Sequence, residues 1–209
     1  MSRIRIHFSK KGYACFVSHI DLPMLFGRAA RRAGLHPEFT QGFSPHPKLA
    51  LGPPLPVGVI ALREPADFWF SEWNDDLLER WKRSLPAGID IVGANEAEGP
   101  SLNKLCTAAE YSIKSICDAS LREIVDVLRP LLGSRNALYD IEERGEELSI
   151  SSGDLERCGV SLMVKELVSS GVIPGWRGLR ISRSAVGGWS EAEHRVIPLM
   201  EGFEHGQER

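Results

Sequence analysis

Residues 41–58 read QGFSPHPKLALGPPLPVG and hold five prolines and three glycines. Proline lacks the N–H that a helix interior needs, and glycine gives up too much freedom there. A fixed, extended loop is therefore expected, with no helix inside it. One strand and one helix must be complete before this stretch, and a new set of elements must follow it.

Before it, Arg3-Ile-Arg-Ile-His-Phe8 alternates polar and apolar, the period of a half-buried strand. Lys10-Lys11-Gly12 reads as a turn and Ala14–Val17 as a short apolar continuation. Ser18 or Asp21 is expected to cap a helix running to Ala33, with Pro23 in its first turn and Gly34 as the residue that stops it. Leu22, Leu25, Phe26, Ala29, Ala30 and Ala33 share its apolar face. After the loop, Val57–Ile60 and Asp67–Phe70 read as two strands. Asn74 or Asp75 caps a second helix to Ser84, and Ile89–Val92 is a fourth strand. The order is β-α-β-β-α-β, a ferredoxin-like unit over residues 1–94.

Asn95–Leu105 is polar and contains glycine and proline, so 95–107 is expected to link this unit to the next. The pattern then recurs over 108–187: strand Ala109–Ile116, a helix from Ser120 with Glu123 in capping-box position, a hairpin of Leu138–Ile141 and Glu147–Ser151, helix Val160–Ser169 and strand Leu179–Arg183. The expected fold class is α+β, with a second, more degenerate ferredoxin-like unit. Residues 188–209 are charged and expected to be a flexible tail.

Charge is unevenly placed. The chain carries −3 overall, yet the first 60 residues hold eight Lys/Arg against two acids, leaving −9 for the rest. Four of six histidines also lie in the basic part. Such asymmetry points either to an anionic ligand at the N-terminal half or to pairing with acids elsewhere in the fold. No apolar run reaches the ~20 residues that span a bilayer, so no membrane partner is expected. The start MSRIRIHFSKKG lacks the apolar core of a secretory signal, and the expected location is the cytoplasm. Cysteines 15, 106, 117 and 158 form no CxxC pair and no Cx3Cx2C iron–sulfur motif, so buried free thiols are expected and no cofactor.

The segment 16–58 concentrates the groups that do chemistry. Ser18-His19-Ile-Asp21 sits at the start of the first helix. His19 is a candidate general acid or base oriented by Asp21, or Ser18 and the free N–H groups there hold a phosphate. Equally, these residues serve only as caps. Arg28 lies three and four positions from Arg31 and Arg32, so the charges repel unless an anion or acid neutralises them. RNA phosphate would do so, as would Glu38 or the acidic second half. In Gln41-Gly-Phe-Ser-Pro-His-Pro-Lys48, Gly42 allows close backbone approach, Phe43 can stack on a base, His46 is aimed by two prolines and Lys48 adds a cation. Gln41 and Ser44 add polar contacts, although a rigid core-covering loop is the other reading. His19, His36, His46 and Asp21 are metal-ligand types at irregular spacing, and no metal is expected. Cys15 falls in an apolar segment that favours an inert thiol.

These motifs resemble the radical SAM-linked domain family of unknown function. The likeness lies in Phe16-x-Ser18-His19-x-Asp21, in Arg28-Ala29 and Arg31 to Leu35, in Gln41 to Lys48, and in Pro54 to Gly58. It implies a bacterial domain fused to, or encoded beside, a radical SAM protein. This chain departs from the family pattern at Leu49-Ala-Leu-Gly52, where relatives carry a Ser/Ala-Phe-rich strand. It departs again at Glu64-Pro-Ala-Asp67, where they carry Glu-Tyr-x-Asp.

Two functions follow as expectations. One is an accessory protein binding tRNA or rRNA through Ser18, Arg28, Arg31, Arg32, Gln41, Phe43, Ser44 and Lys48. The other is an acid–base enzyme, such as a metal-independent ribonuclease, with His19, Asp21 and His46 as catalytic residues. Docking of the radical SAM protein alone is a third.

Overall fold

The structure, a computed structural model, describes residues 2–133, 138–155 and 159–200. The elements in order are β1 (Ser2–Lys10), α1 (Leu22–Arg32), β2 (Leu49–Leu51), β3 (Ile60–Phe70), α2 (Asp75–Arg83), β4 (Ile89–Glu96), α3 (Leu102–Leu105), β5 (Ala108–Ser115), α4 (Leu121–Leu128), β6 (Leu138–Arg144), β7 (Glu147–Gly153), α5 (Val160–Ser169), β8 (Leu179–Ser190) and β9 (Arg195–Pro198). This is a mixed α+β architecture on one nine-stranded sheet of order β4-β1-β3-β8-β5-β7-β6, with β2 paired to β3 and β9 to β8. Every pair is antiparallel except β3–β8, which meet in parallel at Ile60–Ser182 and Ala61–Arg183. In each half the strands lie in the order fourth, first, third, second: β4-β1-β3-β2 and β8-β5-β7-β6.

Local chemistry explains the helices. Asn74 Oδ1 accepts the Leu77 N–H at 2.9 Å and starts α2. Ser120 and Glu123 form a reciprocal capping box on α4. Gly34, with φ 80°, ends α1 and lets the Leu35 N–H reach the Ala30 carbonyl at 2.9 Å. At the other end of α1 the expected cap is absent. Asp21 already has helical dihedrals and makes no cap bond, because its carboxylate accepts the Ser18 hydroxyl at 2.6 Å.

Two strand assignments change. Val57–Ile60 and Asp67–Phe70 are not separate strands: one strand, β3, runs from Ile60 to Phe70. The second strand of the unit is Leu49–Leu51, inside the proline-rich stretch. Pro65 hides the continuity of β3. It sits between the pairing with β8, which ends at Ala61, and that with β2, which begins at Ala66, where one flank of the strand has no ladder to break. Ala14–Val17 is not a strand continuation either: Gly12–Phe16 forms a 3-10 turn. The segment expected to be tail from 188 carries the end of β8 and all of β9. Residues 201–209 and Cys158 lie outside the described residues.

Each half has its own core. Ile4, Ile6 and Phe8 of β1 meet Phe26, Ala29 and Ala30 of α1 and Leu77 and Trp81 of α2. Edge-to-face contacts at 4.9–6.0 Å tie Trp81 to Phe26, Phe68 and Phe70. The second core gathers Tyr111, Ile113, Ile124, Ile150, Met163 and Ile181, and it takes in Leu55, Val59 and Ala61 from the first half. Leu55 of the Pro54–Gly58 segment therefore packs into the opposite half, while Val57 stays exposed.

The other face of β1 carries Arg3, Arg5 and His7. Arg3 Nε and Arg5 Nε donate to the Asp67 carboxylate at 2.9 and 2.8 Å, and Arg3 also reaches the Gly99 and Pro100 carbonyls. The 97–107 segment thus covers this face. Among the described residues, no helix is long and apolar enough to cross a membrane.

Candidate nucleic-acid face and the adjoining cleft

Helix α1 buries Leu22, Phe26, Ala29 and Ala30 against the sheet, a spacing that leaves Arg28, Arg31 and Arg32 exposed. Among the described residues, none of the three pairs with a carboxylate. Glu38 and the acidic second half do not neutralise them. Arg32 Nη2 donates to the Ser84 carbonyl at 2.7 Å, at the C-terminus of α2. There Arg32, Arg80 and Arg83 line a shallow depression of about 290 Å³.

The Gln41–Lys48 loop packs beside this helix. A Cβ on Gly27 of α1 would lie 3.3 Å from Pro47 Cγ, so only glycine permits the approach without displacement. The loop is closed on itself by the Thr40 N–H to the His46 carbonyl at 2.9 Å and the Lys48 N–H to the Glu38 carbonyl at 2.6 Å. Gln41, Ser44 and His46 are exposed, and Phe43 is wholly so. His46 Nδ1 lies 3.2 Å from both the Thr40 hydroxyl and the Ser44 carbonyl, which fixes its ring in the loop. Lys48 Nζ stands 4.8 Å from the Trp69 ring centroid, a cation–π contact.

His19 is elsewhere. It is half-buried at the mouth of a cleft between the two halves, of about 620 Å³, lined with Gly52, Pro53 and Pro54, Asn103, Cys106, Thr107, Tyr139, Asp154 and Leu155. Burial, helped by the positive charges of Arg183 and Lys10 and opposed by Glu64, holds the imidazole below its ordinary pKa. It is therefore neutral at pH 7, able to donate and accept. The sequence pattern aligned Asp21 with His19, but the Asp21 carboxylate takes the Ser18 hydroxyl instead. His19 and His46 share neither a cavity nor a hydrogen bond.

A buried ion pair shapes the cleft floor. Arg183 of β8 is 1% exposed and its Nε donates to Glu64 Oε1 of β3 at 2.7 Å, with a second bond from Nη2 to Glu64 Oε2. The same Nη2 donates to the Pro53 carbonyl at 2.7 Å, and Nη1 reaches the Pro54 carbonyl at 3.4 Å. Burial works against this guanidinium, and Glu64 and Tyr111 outweigh it, so its pKa stays above the ordinary arginine value. Lys10 Nζ donates to the Val17 carbonyl at 2.9 Å, and burial holds its pKa below the ordinary range. Cys106 is pushed up to about 12 by burial and supplies no thiolate. Cys15 is buried in the 3-10 turn. Among the described residues, no three His, Cys, Asp or Glu side chains gather as metal ligands.

Sequence reasoning missed Glu64, Arg183, Lys10 and the cleft residues after position 100. One signal was present: Arg183 stands two residues from Ile181, on the same strand face opposite Tyr111 and Ile113, so an arginine occupies a core position and needs a partner. The Glu64-Pro-Ala-Asp67 element supplies both carboxylates of the buried networks.

The profile of a family described as an uncharacterized protein conserved in bacteria (DUF2344) matches residues 3–159. The chain belongs to this family. Among curated proteins, none matches the chain. Among solved structures, a chain in the crystal structure of a Cbf5-Nop10-Gar1 complex is similar at 15% identity with a TM-score of 0.43, over 94% of this chain and 52% of that one. This DUF2344 chain thus spans about half the length of that solved chain, and similarity of that order adds nothing to the reading of the site.

Proposed function

We propose that this protein is an RNA-binding accessory partner of a radical SAM enzyme in the bacterial cytoplasm, built from two ferredoxin-like units and gripping RNA on the α1 face. The observation that carries the reading is the surface itself. Arg28, Arg31 and Arg32 are exposed and unpaired by acids among the described residues, and they stand beside a loop that presents Phe43 fully to solvent. Guanidinium groups suit phosphate, and an exposed ring beside them suits an unpaired base. The fourth-first-third-second strand order of each half supports the ferredoxin-like part of this reading, and the division into 1–94 and 108–187 belongs to it. The radical SAM association rests on the motif resemblance. A His19–His46 acid–base pair is not part of it, since the two rings face different surroundings.

The test is affinity for tRNA and rRNA fragments across a salt series. Replacing Arg28, Arg31 and Arg32 by alanine is expected to weaken binding more than tenfold. It should also flatten the plot of log affinity against log salt by about 2, at roughly 0.7 for each phosphate no longer neutralised. Phe43→Ala is expected to cost about 1–3 kcal/mol of binding for one stacked base. Binding that ignores salt, or none at low salt, would sink the reading.

A separate patch favours the protein partner. Tyr13, Phe16, Ile20 and Val57 are exposed apolar side chains, and Phe16 and Val57 share a cleft of about 250 Å³ with Trp176. Exposed apolar clusters mark interaction surfaces. The double change Tyr13→Ser, Phe16→Ser is expected to abolish co-purification of the radical SAM protein without touching RNA affinity. Undiminished co-purification would remove this docking site.

A further inference from the structure

The geometry points to the cleft between the two halves as a pocket for a nucleobase, carried either by a free nucleoside or by an unpaired nucleotide of bound RNA. The second source rests on the RNA reading above; the first does not.

The lining chemistry decides the ligand class. His19, Asn103, Thr107, Tyr139 and Asp154 border the cleft, and among the described residues none of these side chains makes a hydrogen bond within the chain. They come from four separate segments, so their convergence is a product of the fold. Together they offer an imidazole, an amide, two hydroxyls and a carboxylate, a mixed donor and acceptor rim. Tyr139 is set in place by stacking on Trp189, with centroids 4.8 Å apart and an interplanar angle of 16°. Asp154 holds a left-handed φ of 41°, a strain that the fold maintains at the rim.

Leu51, Pro53, Pro54 and Leu155 also line it, apolar side chains that can pack against the faces of a ring. The volume of about 620 Å³ is within the ordinary range for small-ligand sites. An anion fits poorly. The nearby cations are already engaged: Lys10 on the Val17 carbonyl, and Arg183 on Glu64 and the Pro53 and Pro54 carbonyls. Asp154 would repel a phosphate. What remains is an uncharged, planar ligand with several hydrogen-bonding edges, which is a nucleobase.

The cleft also joins the arginine face through the chain. His19 leads into α1, and Leu51 to Pro54 continue from the Gln41–Lys48 loop through β2. The 11 residues of α1 rise about 16 Å, so one bound strand can reach from the arginines to the cleft.

The experiment titrates the full chain with uridine, cytidine, adenosine, guanosine and inorganic phosphate by calorimetry. It is repeated on His19→Phe and Asn103→Ala, with thermal unfolding to confirm that both fold. At least one nucleoside is expected to saturate a single site, with either substitution weakening it tenfold or more and phosphate failing to compete. Four nucleosides that do not saturate together with no fluorescence rise in the RNA arm below, affinity untouched in both folded variants, or phosphate competing as well as a nucleoside would each overturn the inference. A second arm places 2-aminopurine in a single-stranded RNA. A fluorescence rise on binding that is lost in His19→Phe assigns the base to RNA. Nucleoside saturation with no such rise assigns it to a free nucleoside. RNA that does not bind at all refutes the RNA reading, while the nucleoside titration still decides the pocket.

Discussion

Glu64→Leu is expected to lower stability by about 3–5 kcal/mol, the cost of leaving a buried charge without its partner. Glu64 is 7% exposed and Arg183 1%, and the two are bonded through both carboxylate oxygens. Removing the carboxylate leaves a guanidinium in the interior with no counter-charge, beside Tyr111 and the Pro53 and Pro54 carbonyls. The double change Glu64→Leu, Arg183→Met should recover part of the loss, because no charge is then stranded. Recovery stays incomplete, since the two proline carbonyls lose their donor. Urea unfolding of the two single variants and the double variant gives the coupling. Small, additive costs would mean that the pair is not the buried bridge between the halves described above. The pair also fixes the loop under His19, so the single variants should disturb the cleft before the α1 face.

Acid sensitivity is the second large effect. His7 of β1 is 3% exposed, its Nε2 finds no partner, and burial, with the charges of Arg63 and Arg5, lowers its pKa to about 4. The unfolded chain takes up this proton near pH 6.5 and the folded chain only near pH 4. Between those values the unfolded state binds more protons, so stability falls as pH is lowered. The loss from this residue is about 3 kcal/mol by pH 4, at 1.36 kcal/mol per pKa unit. His7→Gln should remove that part of the slope. Denaturant unfolding at pH 7, 5.5 and 4.5 measures it. Equal slopes for the two proteins would show that His7 titrates freely in the folded state.

Much of the local structure was legible because local chemistry decides it. The alternation in β1, the Asn74 cap of α2, the Ser120–Glu123 box of α4 and Gly34 after α1 are all settled by near neighbours. Where tertiary pairing decides, the sequence misled. Ala61 to Ala66 looked like a break between two strands, since the missing ladder partner opposite Pro65 is visible only in the assembled sheet. Leu49–Leu51 was hidden by the prolines around it, although its pairing with Ala66–Phe68 needs only three residues. Residues 188–198 looked like tail because the segment is charged, yet Gly187 lies so close to the Ile197 carbonyl that no side chain fits.

The site divides in the same way. Arg28, Arg31, Arg32 and the Gln41–Lys48 loop are close in sequence, and they stay neighbours in the fold through the Gly27–Pro47 contact. His19 was legible as a reactive group, but its surroundings were not. Asn103, Thr107, Tyr139 and Asp154 come to it from distant segments of the chain, a convergence that no local pattern announces.

The reading of the protein as an RNA-binding partner turns most directly on crosslinking in its native cells, with sequencing of the bound RNA beside an Arg28, Arg31, Arg32→Ala variant. The account predicts a discrete RNA recovered with the native chain, lost with the variant, and crosslinked within the Gln41–Lys48 loop at or beside Phe43. No RNA above background from the folded native protein, or the same RNA recovered equally from the variant, would contradict it.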